Sequence, residues 1–133
     1  VIYDNSKSVD IDRIVMTDNK NNKDVLFDNL GRTLTQENFS SINLFYDGIA
    51  TVRVDKLCGY MDKKGSVVIP IVYSACYPFY KNKAIVSQNF KFMIIDRNAN
   101  PLTKIQSYEE LKNYLETKDL QIMFDDFRFM NRK

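Results

Sequence analysis

The stretch Gly48-Ile49-Ala50-Thr51-Val52-Arg53-Val54-Asp55-Lys56-Leu57-Cys58-Gly59-Tyr60-Met61-Asp62-Lys63-Lys64-Gly65-Ser66-Val67-Val68-Ile69-Pro70 decides the fold. Ala50–Val54 alternates apolar and polar residues, the period-2 pattern of a half-buried strand. Asp55-Lys56 is a turn, and Gly59-Tyr60-Met61 reads as a second strand. In Asp62-Lys63-Lys64-Gly65 the aspartate suits hydrogen bonding to the amides that follow. The glycine suits the left-handed conformation that lets a chain re-enter a sheet through a bulge. Gly48 is assigned no such role. Val67-Val68-Ile69 is a third strand, and Pro70, lacking an N–H, is expected to end it.

The same design recurs along the chain. Asp28, Asp62 and Asp96 are 34 apart (62 − 28 and 96 − 62), and each opens a turn signal: Asp28 to Gly31, Asp62 to Gly65, Asp96 to Ala99. Phe45-Tyr46 returns as Phe79-Tyr80, Leu34 as Val68 and Leu102, and Phe39 as Tyr73. Upstream the step lengthens: Tyr3 to Phe39 and Ile14 to Ala50 are both 36, which places a two-residue insertion in the loop Asp18–Lys23. An internal period outranks any local motif in deciding architecture. Helical repeats share this period but need apolar residues at i, i+3 and i+4. Alternation, Asp-x-x-Gly turns and Val/Ile enrichment indicate strands instead.

The expected fold is mainly β: about three 34-residue antiparallel three-stranded units, closed by a C-terminal helix as cap. As one repeat domain over 1–133, it divides into a tail of a preceding unit (1–9), units 10–45, 46–79 and 80–106, and a helical cap and tail (107–133). The remaining strands fall at 14–16, 24–27, 33–35, 84–86 and 92–95. Alanine is costly in a left-handed position, so Asn98 or Asn100 is expected to take that role in a shifted third turn. Ser107-Tyr108-Glu109-Glu110 is a capping-box signature ahead of Leu111, Tyr114 and Leu115, which predicts a helix over about 107–117. Leu120–Phe124 suits a strand or a short helix. A chain beginning at Val1 inside a repeat is expected to start within a longer array.

Composition narrows the function. Nineteen Lys+Arg against seventeen Asp+Glu, interspersed, leave a net charge of +2. That balance makes no electrostatic case for nucleic acid or an anionic membrane, and no apolar run suits membrane insertion. The short basic tail Arg128, Arg132 and Lys133 does not alter this. The chain has no histidine, which removes Ser-His-Asp and Cys-His catalysis, common zinc ligands and the usual proton shuttle. No enzymatic activity, catalytic residue, metal site or cofactor is expected. Asp18-x-Lys20-x-Asn22-x-Asp24 superficially resembles a calcium loop, but Lys20 and Lys23 stand where a ligand and a glycine are needed. Asp125 and Asp126, adjacent on a strand, would point to opposite faces. Cys58 and Cys76 read as two buried thiols; a bridge over this 18-residue separation is the alternative in an oxidising compartment.

Gly48–Val54, Cys58–Gly65, Val67–Pro70 and Tyr73 together resemble the bacterial WG-repeat (KWG) family. Its pattern is a small-apolar strand, a Trp-Gly-Tyr-hydrophobic-Asp segment, a Lys-x-Gly turn, a Val-Ile-Pro strand and a Tyr. Cys58 stands in place of the tryptophan, and the chain has no Trp. The resemblance implies a bacterial all-β interaction module, cytoplasmic or in the cell envelope, with no enzymatic activity. A non-catalytic module binding a protein partner is the leading expectation. A cell-envelope scaffold or glycan-binding domain, and an accessory domain of a larger enzyme, are the alternatives. The candidate binding residues are the recurring aromatics Tyr46, Tyr73, Tyr77, Phe79 and Tyr80. The Pro78-stiffened run 77–80 is the best placed, because rigidity lowers the ordering cost on binding.

Overall fold

The computed structural model describes residues 3, 5–105 and 107–117. Eleven strands and one helix lie among them: β1 Asn5–Asp10, β2 Arg13–Asp18, β3 Lys23–Asp28, β4 Ser41–Tyr46, β5 Ile49–Val54, β6 Leu57–Asp62, β7 Val67–Tyr73, β8 Ala75–Cys76, β9 Lys83–Gln88, β10 Lys91–Asp96, β11 Pro101–Ile105 and α1 Tyr108–Thr117. They form three antiparallel meanders in chain order, β1-β2-β3, β4-β5-β6-β7 and β8-β9-β10-β11. The mainly β repeat architecture with its C-terminal helix is as expected. The second and third sheets each carry one strand more than the three expected. The additions are their first strands, β4 and β8; the first sheet likewise gains β1, and the strand expected at 33–35 is reduced to an isolated bridge between Thr33 and Phe27. Register shifts between Ile42 and Phe45 in β4, and β8 is only two residues long, so neither presents a clean period-2 signal. The sheets also divide the chain differently from the repeat boundaries placed by sequence: Asn5–Asp10 is the first strand of the first sheet, paired with β2.

Alternation places the second and third sheets each between two cores. Val9, Val15 and Leu26 of the first sheet pack with Ile42, Phe45, Ala50, Val52 and Met61 of the second. The opposite face of the second sheet sends Ile49, Cys58, Tyr60, Ile69 and Tyr73 against Ala84, Val86 and Ile95 of the third. Tyr60 and Met61, neighbours on β6 and both fully buried, thus fill different cores. Ile85, Ile94 and Ile105 on the far face of the third sheet are covered by Leu111 and Leu115 of α1. The Glu110 amide donates to Ser107 Oγ at 3.2 Å, the cap that the sequence predicts.

The period is physical at the turns. Asp28, Asp62 and Asp96 each accept two amide bonds on Oδ1, from residues two and four ahead. Gly31, Gly65 and Ala99 donate back to the aspartate carbonyl at 3.1 Å with φ of 83°, 88° and 67°. Ala99, not Asn98 or Asn100, takes the left-handed position, and the third turn is unshifted. Its aspartate makes the same bonds as the others, and Asn100 Nδ2 adds one to Asp96 Oδ2 at 3.1 Å, so the turn imposes the conformation on alanine. Gly48 is also left-handed (φ 77°), contrary to the sequence reading. With Asp47 it makes the two-residue hairpin loop between Tyr46 and Ile49, and positive φ at both positions is the I′ pattern that matches strand twist. Lys81-Asn82 repeats it 34 residues later.

Three further differences follow from geometry. Pro70 does not end its strand: β7 runs to Tyr73, with register shifts on either side of the Tyr60–Ile69 pair. The bulge absorbs the missing N–H. It also presses the carbonyls of Ile69 and Pro70 onto Gly59, where a Cβ would meet them at 2.5 and 2.6 Å, so only glycine fits. The β2–β3 loop has four residues where β5–β6 has two, which is the inferred insertion. Cys58 and Cys76 form a disulfide, the alternative to free thiols, and it joins the second sheet to the third. Leu120–Phe124, Asp125-Asp126 and the basic tail lie outside the described residues.

Candidate functional site

Because the sheets stack as repeats, equivalent first-strand positions come together. Lys7 corresponds to Asn43 and Tyr77, and Ser8 to Leu44 and Pro78, at steps of 36 and then 34. A groove of about 330 Å³ opens where β1, β4 and the β8 segment meet, lined by Lys7, Asn43, Leu44, Tyr46, Thr51, Cys76 and Pro78. The volume lies at the lower end of ordinary ligand sites. Leu44 and Tyr46 are 48% and 46% exposed, while Ile42 and Phe45 of the same edge strand are buried.

The bulge in β4 explains their exposure. Asn43 and Leu44 fall in the register break, so both turn outward in succession instead of alternating. Asn43 Nδ2 donates to Thr51 Oγ1 at 2.7 Å, which fixes the amide against β5. The start of β4 is held by Asp24, a buried carboxylate on β3. Its Oδ2 accepts the Ile42 amide at 3.0 Å and its Oδ1 accepts Thr17 Oγ1 at 2.8 Å. Opposite, the disulfide fixes Cys76 to buried Cys58. The groove is therefore walled by ordered elements, and it offers an apolar floor, one phenol, one amide and one ammonium. Lys7 makes no ion pair among the described residues. The groove holds no nucleophile–base pair.

Of the five aromatic residues singled out by sequence, only Tyr46 lines the groove. Tyr73 and Phe79 are buried between the second and third sheets, and burial raises the Tyr73 phenol above its ordinary value. Phe79 meets the Tyr60 ring edge-on at 4.8 Å, and the Arg97 guanidinium lies 5.7 Å from its centre. Tyr77 and Tyr80 are half-buried against the core under α1, and the Tyr77 carbonyl accepts the buried Tyr60 hydroxyl at 2.6 Å. The run 77–80 is thus mainly a wedge between sheets. Its proline is the part that reaches the groove. Sequence reasoning singled out Pro78 only as the stiffener of its run and missed Lys7, Asn43, Leu44, Thr51 and Cys76. The repeat alignment 7/43/77 and 8/44/78 was the available signal.

The other polar clusters have structural work. Lys63 Nζ lies 3.1 Å from Asp10 and 2.5 Å from Asp12, and Arg13 Nε donates to the Lys63 carbonyl at 2.7 Å. This ties the β1–β2 hairpin to the β6–β7 turn. The Asp12 and Asp10 contacts raise the Lys63 ammonium. The Ile11 amide and then Lys63 lower Asp10, and Lys63 lowers Asp12. Burial works against ionisation of Asp18, but the Asn21 side chain and the Lys20 amide outweigh it and hold that carboxyl low. Its oxygens are thereby turned inside their own loop. Among the described residues no three Cys, Asp or Glu side chains are placed to share a metal ion.

Residues 59–92 match a family model described as a WG containing repeat. That window is 34 residues long (92 − 59 + 1), one full period, and it opens on the glycine pressed by Ile69 and Pro70. No curated protein matches. Among solved structures, Kluyveromyces lactis Hsv2 is similar at 12% identity and a TM-score of 0.43, over 76% of this chain and 36% of that one. This chain therefore spans about a third of that protein's length.

Proposed function

We propose that this member of the WG-repeat family is a non-catalytic binding module that takes an extended segment of a protein partner in the groove between its first strands. One observation carries the reading: the register break in β4 holds Leu44 and Tyr46 outward beside Lys7, in a cleft whose walls are fixed by a buried carboxylate and a disulfide. Apolar anchors on a preformed surface lower the entropic cost of association. A narrow cleft between strand edges suits an extended chain better than a flat surface. Lys7 favours segments with a carboxylate.

Selection of random linear peptides on the immobilised chain tests this. Recovered peptides should combine an aliphatic or aromatic residue with Asp or Glu, and should bind Leu44→Asp at least tenfold more weakly. A selection that enriches nothing, or peptides indifferent to Leu44→Asp, would remove the groove reading. Peptides sensitive to Leu44→Asp but not to Lys7→Glu would keep the groove and remove the carboxylate preference.

A further inference from the structure

The two joints between neighbouring sheets are closed by different chemistry at the same repeat positions. Asp24 and Ile42 of the first joint return 34 residues later as Cys58 and Cys76 (58 − 24 and 76 − 42). Each pair is 18 residues apart. In each, the third strand of one sheet grips the first strand of the next: β3 holds β4, and β6 holds β8. The registers agree as well, since Ile42 pairs with Val52 and Cys76 with Val86. The first joint closes by a hydrogen bond from the Ile42 amide to Asp24 Oδ2 at 3.0 Å, the second by a disulfide.

The repeat thus carries its own control. The first joint stacks its sheets with no covalent bond, so this position does not require one. The second joint is also secured without it: Tyr60, Ile69 and Tyr73 pack with Phe79, Val86 and Ile95, and the Tyr60 hydroxyl donates to the Tyr77 carbonyl at 2.6 Å. What the disulfide adds is local. β8 is two residues long and pairs with β9 only at Ala75 and Cys76. Its bond to Cys58 holds that short strand against the second sheet, where Cys76 and Pro78 wall the groove. Access differs between the two residues. Cys58 is buried, whereas Cys76 is half-buried and lines the groove. A reductant therefore reaches the bridge from the groove side, through the surface that a bound segment covers.

We propose that Cys58–Cys76 is a redox latch on the groove: bridged, it holds the β8 wall in place for binding, and reduced, it frees that wall and weakens the bound segment's hold. The inference rests on the reading of the groove as a binding site. The reductant is a dithiol. One of its thiolates attacks Cys76 Sγ, the Cys58–Cys76 bond breaks, and Cys58 leaves as a thiolate that takes up a proton. The second thiol of the reductant then displaces Cys76 as a thiol. Two electrons and two protons have reached the protein, and the dithiol has become a disulfide. Binding and reduction are linked, so a bound segment opposes reduction by the same factor by which reduction lowers its affinity.

Binding of a groove-selected peptide to the full chain tests this, with the chain oxidised, reduced by excess dithiol, and as Cys76→Ser, and with amide hydrogen exchange followed on each form. Reduction should raise the Kd about tenfold or more. Cys76→Ser should bind like the reduced chain, with or without dithiol. Saturating peptide should shift the native chain's reduction equilibrium toward the bridged form by that same factor. The Tyr77 amide, bonded to the Ile85 carbonyl at 3.0 Å, should exchange about tenfold faster or more on reduction, while the Ile42 amide at the first joint is unchanged. Equal affinity in the two states would overturn the proposal and leave the groove reading intact. Loss of structure throughout the reduced chain would overturn it too, because the bridge would then support the whole fold. Absence of binding to every form would remove the groove reading and this inference with it.

Discussion

Gly31 and Gly65 occupy the same position of the same turn, and replacing each with alanine isolates what stacking contributes. Both have left-handed φ, 83° and 88°, and both donate to the turn aspartate at 3.1 Å. The backbone cost of a Cβ there, about 1–2 kcal/mol, is common to both and cancels in the comparison. Their surroundings differ. A Cβ on Gly31 meets nothing within 4 Å, whereas one on Gly65 meets the Leu34 carbonyl oxygen at 2.5 Å and Thr35 Cγ2 at 3.0 Å. Leu34 is itself fixed, its amide bonded to the Leu26 carbonyl at 2.8 Å, so main chain must shift. Overpacking of this kind costs about 1–3 kcal/mol. Gly31→Ala should therefore lose about 1–2 kcal/mol, and Gly65→Ala about 2–5 kcal/mol. Urea unfolding with equal m-values reads the difference directly. Equal midpoints for the two variants would refute the claim that the second unit's turn is packed against the first unit.

The third turn supplies the converse: Ala99→Gly should stabilise the chain by about 0.5–1 kcal/mol, seen as a rise in urea midpoint, because glycine takes φ 67° without strain. Reduction of Cys58–Cys76, 18 residues apart, should cost about 3 kcal/mol on the chain-entropy model, and thermal melts with and without a dithiol measure it. Asp28 and Asp96 are held below the ordinary aspartate value of 3.8, chiefly by the Arg32 and Asn100 amides. Depressed carboxylates contribute stability that is present above the unfolded pKa and lost as pH falls through the folded one. The melting temperature should therefore be nearly flat down to about pH 5 and fall below about pH 4, and Asp96→Asn should make that fall shallower.

The fold was legible because its determinants are local and repeated. Asp-x-x-Gly turns and β5, β6, β9 and β10 carry their own periodicity, and Ser107 announces its helix. What escaped the sequence depends on contacts between units. The β4 bulge hides a strand and at the same time turns Leu44 outward. Pro70 stays in its strand because a bulge removes the need for its N–H. Ala99 accepts a left-handed backbone because Asp96 and Asn100 hold the turn. Aromatic recurrence pointed to Tyr73, Tyr77, Phe79 and Tyr80, but rings at equivalent positions mostly fill the spaces between sheets. The groove is made instead by the less conspicuous residues of the first strands, which converge only once the sheets stack.

Amide and methyl chemical-shift mapping of the isotope-labelled chain with a selected peptide tests the central claim most directly. Saturable shifts confined to Lys7, Asn43, Leu44, Tyr46, Thr51 and Cys76, and absent in Leu44→Asp, are the predicted result. Shifts centred on β7, on α1 or on the Phe90 hairpin, with the first strands silent, would contradict it.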